Sequence, residues 1–132
     1  MALTYSFQQD IPVHQIIDVL DSSTIQRPTH DATRIEHMFQ AADLVVSCWD
    51  GDLLAGIARS LTDFCYCCYL SDLAVRQDYQ HQGIGKRLVQ LTREKIGPET
   101  MLLLLAAPSA VDYYPKIGMQ SMDRAYYFPR KH

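Results

Sequence analysis

Apolar and polar residues alternate in "LTYSF", Leu3 to Phe7, and this period of two predicts a first strand. The period then changes. Val13, Ile16, Ile17 and Leu20 share one helical face behind Pro12, a residue suited to a first turn. "STIQRPTH" is a polar loop, after which Ile35, Met38 and Phe39 predict a second helix with Asp31 as its N-cap. "DLVVSCWDGDLLAGIARSL" places two apolar runs around Asp50-Gly51, which predicts a hairpin. "FCYCCYLSDLAV", Phe64 to Val75, is apolar and aromatic throughout and predicts a long central strand covered on both faces.

In the second half, Ile84, Leu88, Leu91 and Ile96 recur at helical spacing, with Gly97-Pro98 as the stop. "MLLLLAAP", Met101 to Pro108, predicts a buried strand. "SAVDYYPKIG" predicts a short helix capped by Ser109 and shortened by Pro115. "QSMDRAYYFPR" predicts a last strand ending at Pro129. The order is β-α-α-β-β-β-α-β-α-β. A meander leading into a βαβ crossover predicts a mixed sheet and an α/β fold.

The 132 residues suffice for one continuous core, so residues 1–132 are expected to form a single domain. A net charge of −3 argues against a nucleic-acid partner, although Lys86, Arg87, Arg93 and Lys95 make a local basic patch. No N-terminal stretch joins basic residues to an apolar run, and "MLLLLAAP" is too short to span a bilayer. A cytoplasmic protein without a membrane partner is expected. Cys48, Cys65, Cys67 and Cys68 then read as free thiols. Three of them crowd one strand and no histidine has finger-like spacing, so no metal is expected.

The chemistry concentrates at "QHQGIGKRL", Gln80 to Leu88, where two glycines stand one residue apart before a helix. Glycine beside a helix costs roughly 1 kcal/mol relative to alanine. Outward-pointing N–H groups at a helix N-terminus offer a return, because they cradle phosphate. The spacing fails the Walker loop, since Arg87 follows Lys86 and a single residue separates the glycines. It also fails the dinucleotide fingerprint, which needs a third glycine where Leu88 stands.

"QHQGIG" does match the Gln/Arg-x-x-Gly-x-Gly/Ala motif of the GNAT N-acetyltransferase superfamily. "LSDLAVRQDYQHQGIGKRLV" resembles that family's strand, loop and helix, and "YYPKIGM", Tyr113 to Met119, resembles its Phe-Tyr-x-Lys-x-Gly-Phe segment. The resemblance covers roughly residues 43–128. Within the family, the chain is similar to small bacterial members and to the plastid arylalkylamine acetyltransferase type. The resemblance implies a mostly antiparallel mixed sheet of six or seven strands flanked by about four helices.

It also implies roles. The turn of Gln80, His81, Gln82, Gly83, Ile84, Gly85 and Lys86 would hold the pyrophosphate of acetyl-CoA. Leu73, Ala74 and Val75 would pair with the pantetheine arm, and the strand after the helix would splay away to open a cleft. Many members place an asparagine beyond that strand; here Ser109 would take its place. Tyr114 would protonate the leaving thiolate. Asp72 is the candidate general base, acting through water, and its other reading is an aspartate that holds the acceptor's ammonium or caps a bulge. Asp63 and His81 are weaker candidates for that role. Arg27, His30 and Trp49 are candidates to line the acceptor site, with surface or core roles as the alternative.

The implied activity is direct transfer of an acetyl group to a primary amine of a small molecule or peptide. The cysteines raise an acyl-enzyme alternative, but no histidine or acid is placed by sequence to activate them. A non-catalytic acetyl-CoA sensor or an interaction domain is the reading from another class. A homodimer stays open, since the chain is short for the family and its last strand would gain from a neighbour.

Overall fold

The computed structural model describes residues 2–131. Its elements run β1 (Leu3–Ser6), α1 (Val13–Ser23), α2 (Ala32–Gln40), β2 (Leu44–Asp50), β3 (Leu53–Thr62), β4 (Cys67–Val75), α3 (Ile84–Ile96), β5 (Met101–Leu103) and α4 (Tyr113–Lys116). The five strands form one sheet in chain order. The first three pairings are antiparallel and β4 pairs β5 in parallel, which makes the sheet mixed.

Local chemistry explains several boundaries. Gly51 turns the β2–β3 hairpin with φ +60°, a left-handed angle that glycine adopts without a Cβ clash. Asp31 caps α2 by accepting the Arg34 N–H at 3.1 Å. Gly97 ends α3 at φ +87°. The cap of α4 is Asp112 rather than Ser109, which lies in a separate 3₁₀ turn, Pro108–Ala110.

The core lies on both faces of the sheet. Ile16, Val19, Leu20, Ile35 and Phe39 of α1 and α2 cover one face with Val45, Leu54, Ile57 and Ala74. Ile84, Leu88, Val89 and Ile96 of α3 cover the other with Val46, Ala58, Cys68 and Leu70. Helix α3 approaches so closely that a Cβ on Gly56 would lie 3.0 Å from Ile84 Cγ2. No helix among the described residues is long and apolar enough to cross a membrane.

Two expectations need correction. The sheet has five strands, not six or seven, because residues 119–131 form no strand. Tyr126, Tyr127 and Phe128 stand exposed there, since apolar alternation gives a strand only where an edge receives it. The buried strand expected over Met101 to Pro108 stops at Leu103, with Met101 exposed and Leu102 and Leu103 half-buried.

Candidate active site

The start of α3 gathers unpaired backbone N–H groups. Gly83 is its N-cap at φ +83° and makes no side-chain cap, while His81 also has a positive φ, +65°. The Arg87 N–H donates to the Gly83 carbonyl at 3.0 Å, but the N–H groups of residues 81–86 meet no protein acceptor among the described residues. Unpaired donors at the positive end of a helix dipole suit a phosphate group. A Cβ on Gly83 would meet nothing within 4 Å, whereas one on Gly85 would lie 2.8 Å from the Tyr113 hydroxyl. The two glycines thus serve different ends: Gly83 supplies the backbone angle and Gly85 the close approach of Tyr113.

The loop before the cradle is pinned at several points. Gln80 Nε2 donates to the Val75 carbonyl at 3.0 Å, which makes Gln80 a tether between the turn and β4. Arg76 donates its N–H to the Ala55 carbonyl at 2.8 Å and its Nε to the Leu54 carbonyl at 2.6 Å. The Tyr79 hydroxyl donates to the Asp50 carboxylate, and the Gln77 N–H to Ser22 Oγ at 3.0 Å. Arg76 and Tyr79 went unread in the sequence because their partners lie in the distant β2–β3 hairpin. Lys86 and Arg87 are exposed; Arg87 meets Glu94 at 3.6 Å on the surface of α3.

From the cradle, β4 offers an open edge. Its parallel pairing with β5 covers only Cys67, Cys68 and Tyr69. Leu73, Ala74 and Val75 pair with Ala58, Ile57 and Gly56 of β3 on one side and with no strand on the other. The chain after Leu103 leaves the sheet and reaches the exposed Ser109. Beyond Tyr69 and Leu103 the two strands no longer pair.

The alternation of β4 slips in mid-strand. Arg59 faces Asp72 while Ser60 faces Leu70, so Ser71 is the extra residue of a β-bulge. The bulge directs consecutive side chains at one partner: Arg59 Nη2 donates to Ser71 Oγ at 3.0 Å and Arg59 Nε to an Asp72 oxygen. Arg27, from the loop between α1 and α2, donates Nε to the other Asp72 oxygen and Nη2 to the Ser71 carbonyl at 2.7 Å. Arg59 also reaches the Met38 carbonyl at 3.3 Å, and its guanidinium lies 5.6 Å from the centre of the Phe39 ring. Asp72 is completely buried. Of its two readings, the contacts favour the one that caps a bulge, since guanidiniums engage both oxygens.

Tyr114 and Tyr113 follow in α4, half-buried and packed edge to face at 5.2 Å. Burial pushes the Tyr114 hydroxyl above its ordinary pKa, the neighbouring Tyr113 adds to this, and Arg27 pulls it back. The group therefore stays protonated at neutral pH.

The remaining candidates separate from this site. Asp63 Oδ1 accepts the N–H groups of Cys65, Tyr66 and Cys67 in the β3–β4 turn, which hold its carboxyl well below the usual range. Cys65 and Cys67 lie at the opposite end of β4 from the glycine turn, and Cys48 and Cys68 are buried. Burial raises the thiol pKa of both buried cysteines, which makes them poor nucleophiles. Trp49 Nε1 donates to Ser47 Oγ at 2.8 Å within the sheet, and His30 is exposed. Among the described residues, no group of three or more His, Cys, Asp or Glu is placed to hold a metal ion.

Residues 12–128 match the model of the acetyltransferase (GNAT) domain. The chain belongs to the GNAT acetyltransferase family. By family it is an acyltransferase domain. It is 29% identical over 120 residues to the uncharacterized N-acetyltransferase ycf52 of Gracilaria tenuistipitata var. liui, covering 86% of this chain and 64% of that one. The chain thus spans about two-thirds or less of that relative's length. Its fold is similar to that of SA2161 from methicillin-resistant Staphylococcus aureus, with TM-score 0.83, 18% identity, and 98% and 100% of the two chains covered. It is also similar to the aminoglycoside N-acetyltransferase AAC(6')-Iy in complex with CoA, with TM-score 0.72, 12% identity, and 99% and 96% covered.

Proposed function

We propose that this GNAT domain binds acetyl-CoA and transfers its acetyl group directly to an amine. One observation carries the reading: the unpaired N–H groups at the start of α3 adjoin a stretch of β4, Leu73 to Val75, that has a strand on one side only and leads back to the Ser71 bulge. The N–H groups from Gln82 to Lys86 would hold the pyrophosphate, with Gln80 and His81 shaping the turn. Leu73, Ala74 and Val75 would pair with the pantetheine amides as an added strand does. Ser109, exposed beyond β5, would supply one further hydrogen bond.

The donor supplies a thioester carbon open to attack by a neutral amine. A primary amine, with a pKa of about 10, must first lose its ammonium proton to solvent, and the second proton it gives up on attack ends on the departing sulfur. Asp72 sets the charge around that amine rather than taking the proton, because its oxygens are already held. Tyr114 would donate a hydrogen bond to sulfur as charge grows there. A phenol near 10 against a thiolate near 8.5 makes full transfer slightly uphill in water. The strengthening bond still lowers the barrier.

Calorimetry with acetyl-CoA, followed by thiol release across small amines, amino acids and peptides, tests the reading. At one hundred times its Kd the donor should stabilise the fold by about 2.7 kcal/mol. Binding without turnover of any amine would favour a sensor, and no binding would leave an interaction domain.

A further inference from the structure

The α1–α2 loop carries a guanidinium that the fold leaves partly unneutralised. Among the described residues, Asp72 is the only carboxylate paired with Arg27 or Arg59. One carboxylate against two guanidiniums leaves a single excess positive charge. Arg59 is enclosed, with its side chain 10% exposed and stacked near Phe39, whereas Arg27 is 28% exposed. The excess charge therefore faces outward through Arg27.

Arg27 also has donors to spare. Nε, Nη1 and Nη2 each make a bond, to Asp72, to the Gln26 carbonyl and to the Ser71 carbonyl. Guanidinium carries a second N–H on each Nη nitrogen, so one on each stays free. Its position follows from the direction of β4. Reading back from the glycine turn, the open edge passes Val75, Ala74 and Leu73 and arrives at the bulge, where Arg27 grips Ser71. Its charge also pulls the Tyr114 pKa back toward the ordinary value.

We propose that the acceptor is an amine bearing a carboxylate, as in an amino acid, and that Arg27 receives that carboxylate. The proposal rests on the acetyl-transfer reading above. A guanidinium fork matches the two oxygens of a carboxylate, and Asp72 holds that fork in a fixed orientation. A polyamine would bring its own positive charges against the same excess.

The test compares matched acceptors by thiol release: α-amino acids of varied side chain, their amides, and the amines lacking the carboxyl group. The carboxylate-bearing member of a pair should show kcat/KM roughly 10- to 100-fold higher, as expected for a charge-assisted hydrogen bond. Arg27→Gln should shrink that ratio to about unity, and Arg27→Lys, which keeps the charge, should keep part of it. The ratio is the decisive readout, because loss of structure alone lowers both members together. Equal kcat/KM within wild-type pairs, a panel without any carboxylate-bearing substrate, or a preference that survives Arg27→Gln would each overturn the proposal. Wild-type protein that binds no acetyl-CoA in calorimetry overturns the acetyl-transfer reading instead, and this proposal with it.

Discussion

Replacing Asp72 by asparagine separates an anchoring role from a catalytic one. Asparagine keeps the shape and one acceptor oxygen but puts an NH₂ group toward a guanidinium. Asp72 is completely buried, and Arg59 at 10% exposure has little water to turn to when its counter-charge goes. Breaking a buried ion pair from one side costs about 3–5 kcal/mol. Arg27, at 28% exposure, recovers part of its hydration, which favours the lower half of that range. Unfolding entropy near 2.1 cal/mol/K per residue, over 132 residues, amounts to roughly 280 cal/mol/K. Each kcal/mol then moves Tm by about 3.6 °C, so Asp72→Asn should lower it by roughly 10–15 °C. Scanning calorimetry at pH 7 measures this directly. A Tm within about 3 °C of wild type, combined with a hundredfold loss of single-turnover rate, would refute the anchoring role and restore Asp72 as the base.

Tyr114→Phe removes one hydroxyl and keeps the ring, so single-turnover acetyl transfer should fall by about 10²–10⁴ while acetyl-CoA affinity and Tm hold; a wild-type rate removes Tyr114 from the mechanism. Gly83→Val should abolish acetyl-CoA binding in calorimetry, since a β-branched residue resists φ +83° and its side chain enters the open space above the cradle. Unchanged affinity would move the phosphate site elsewhere. Asp63 has a depressed folded-state pKa, so its contribution is complete above the unfolded value of about 3.9 and disappears as pH falls through the folded one. The Tm advantage of wild type over Asp63→Asn should therefore stay level from about pH 5 to 8 and shrink in strong acid; a constant difference down to about pH 2 would count against the three-donor turn.

Features set by neighbouring residues were legible along the chain. Asp50-Gly51 announced the hairpin, Asp31 the cap of α2, Gly97 the end of α3 and "QHQGIG" the glycine turn that opens α3, because backbone angles, caps and unpaired N–H groups depend on a few adjacent positions. The family resemblance followed from the same local signals. Other features needed the folded sheet. "QSMDRAYYFPR" has the alternation of a strand, yet whether it pairs depends on an edge that no local pattern encodes. Asp72 looked like a base beside a cleft; its partners stand 45 and 13 positions earlier, and the β3–β4 register with its bulge at Ser71 brings them together. Sequence by itself determined where the backbone turns, caps and leaves N–H groups unpaired. Tertiary structure alone decided which charges meet, since an ion pair is set by distance in space and chain separation says nothing about it.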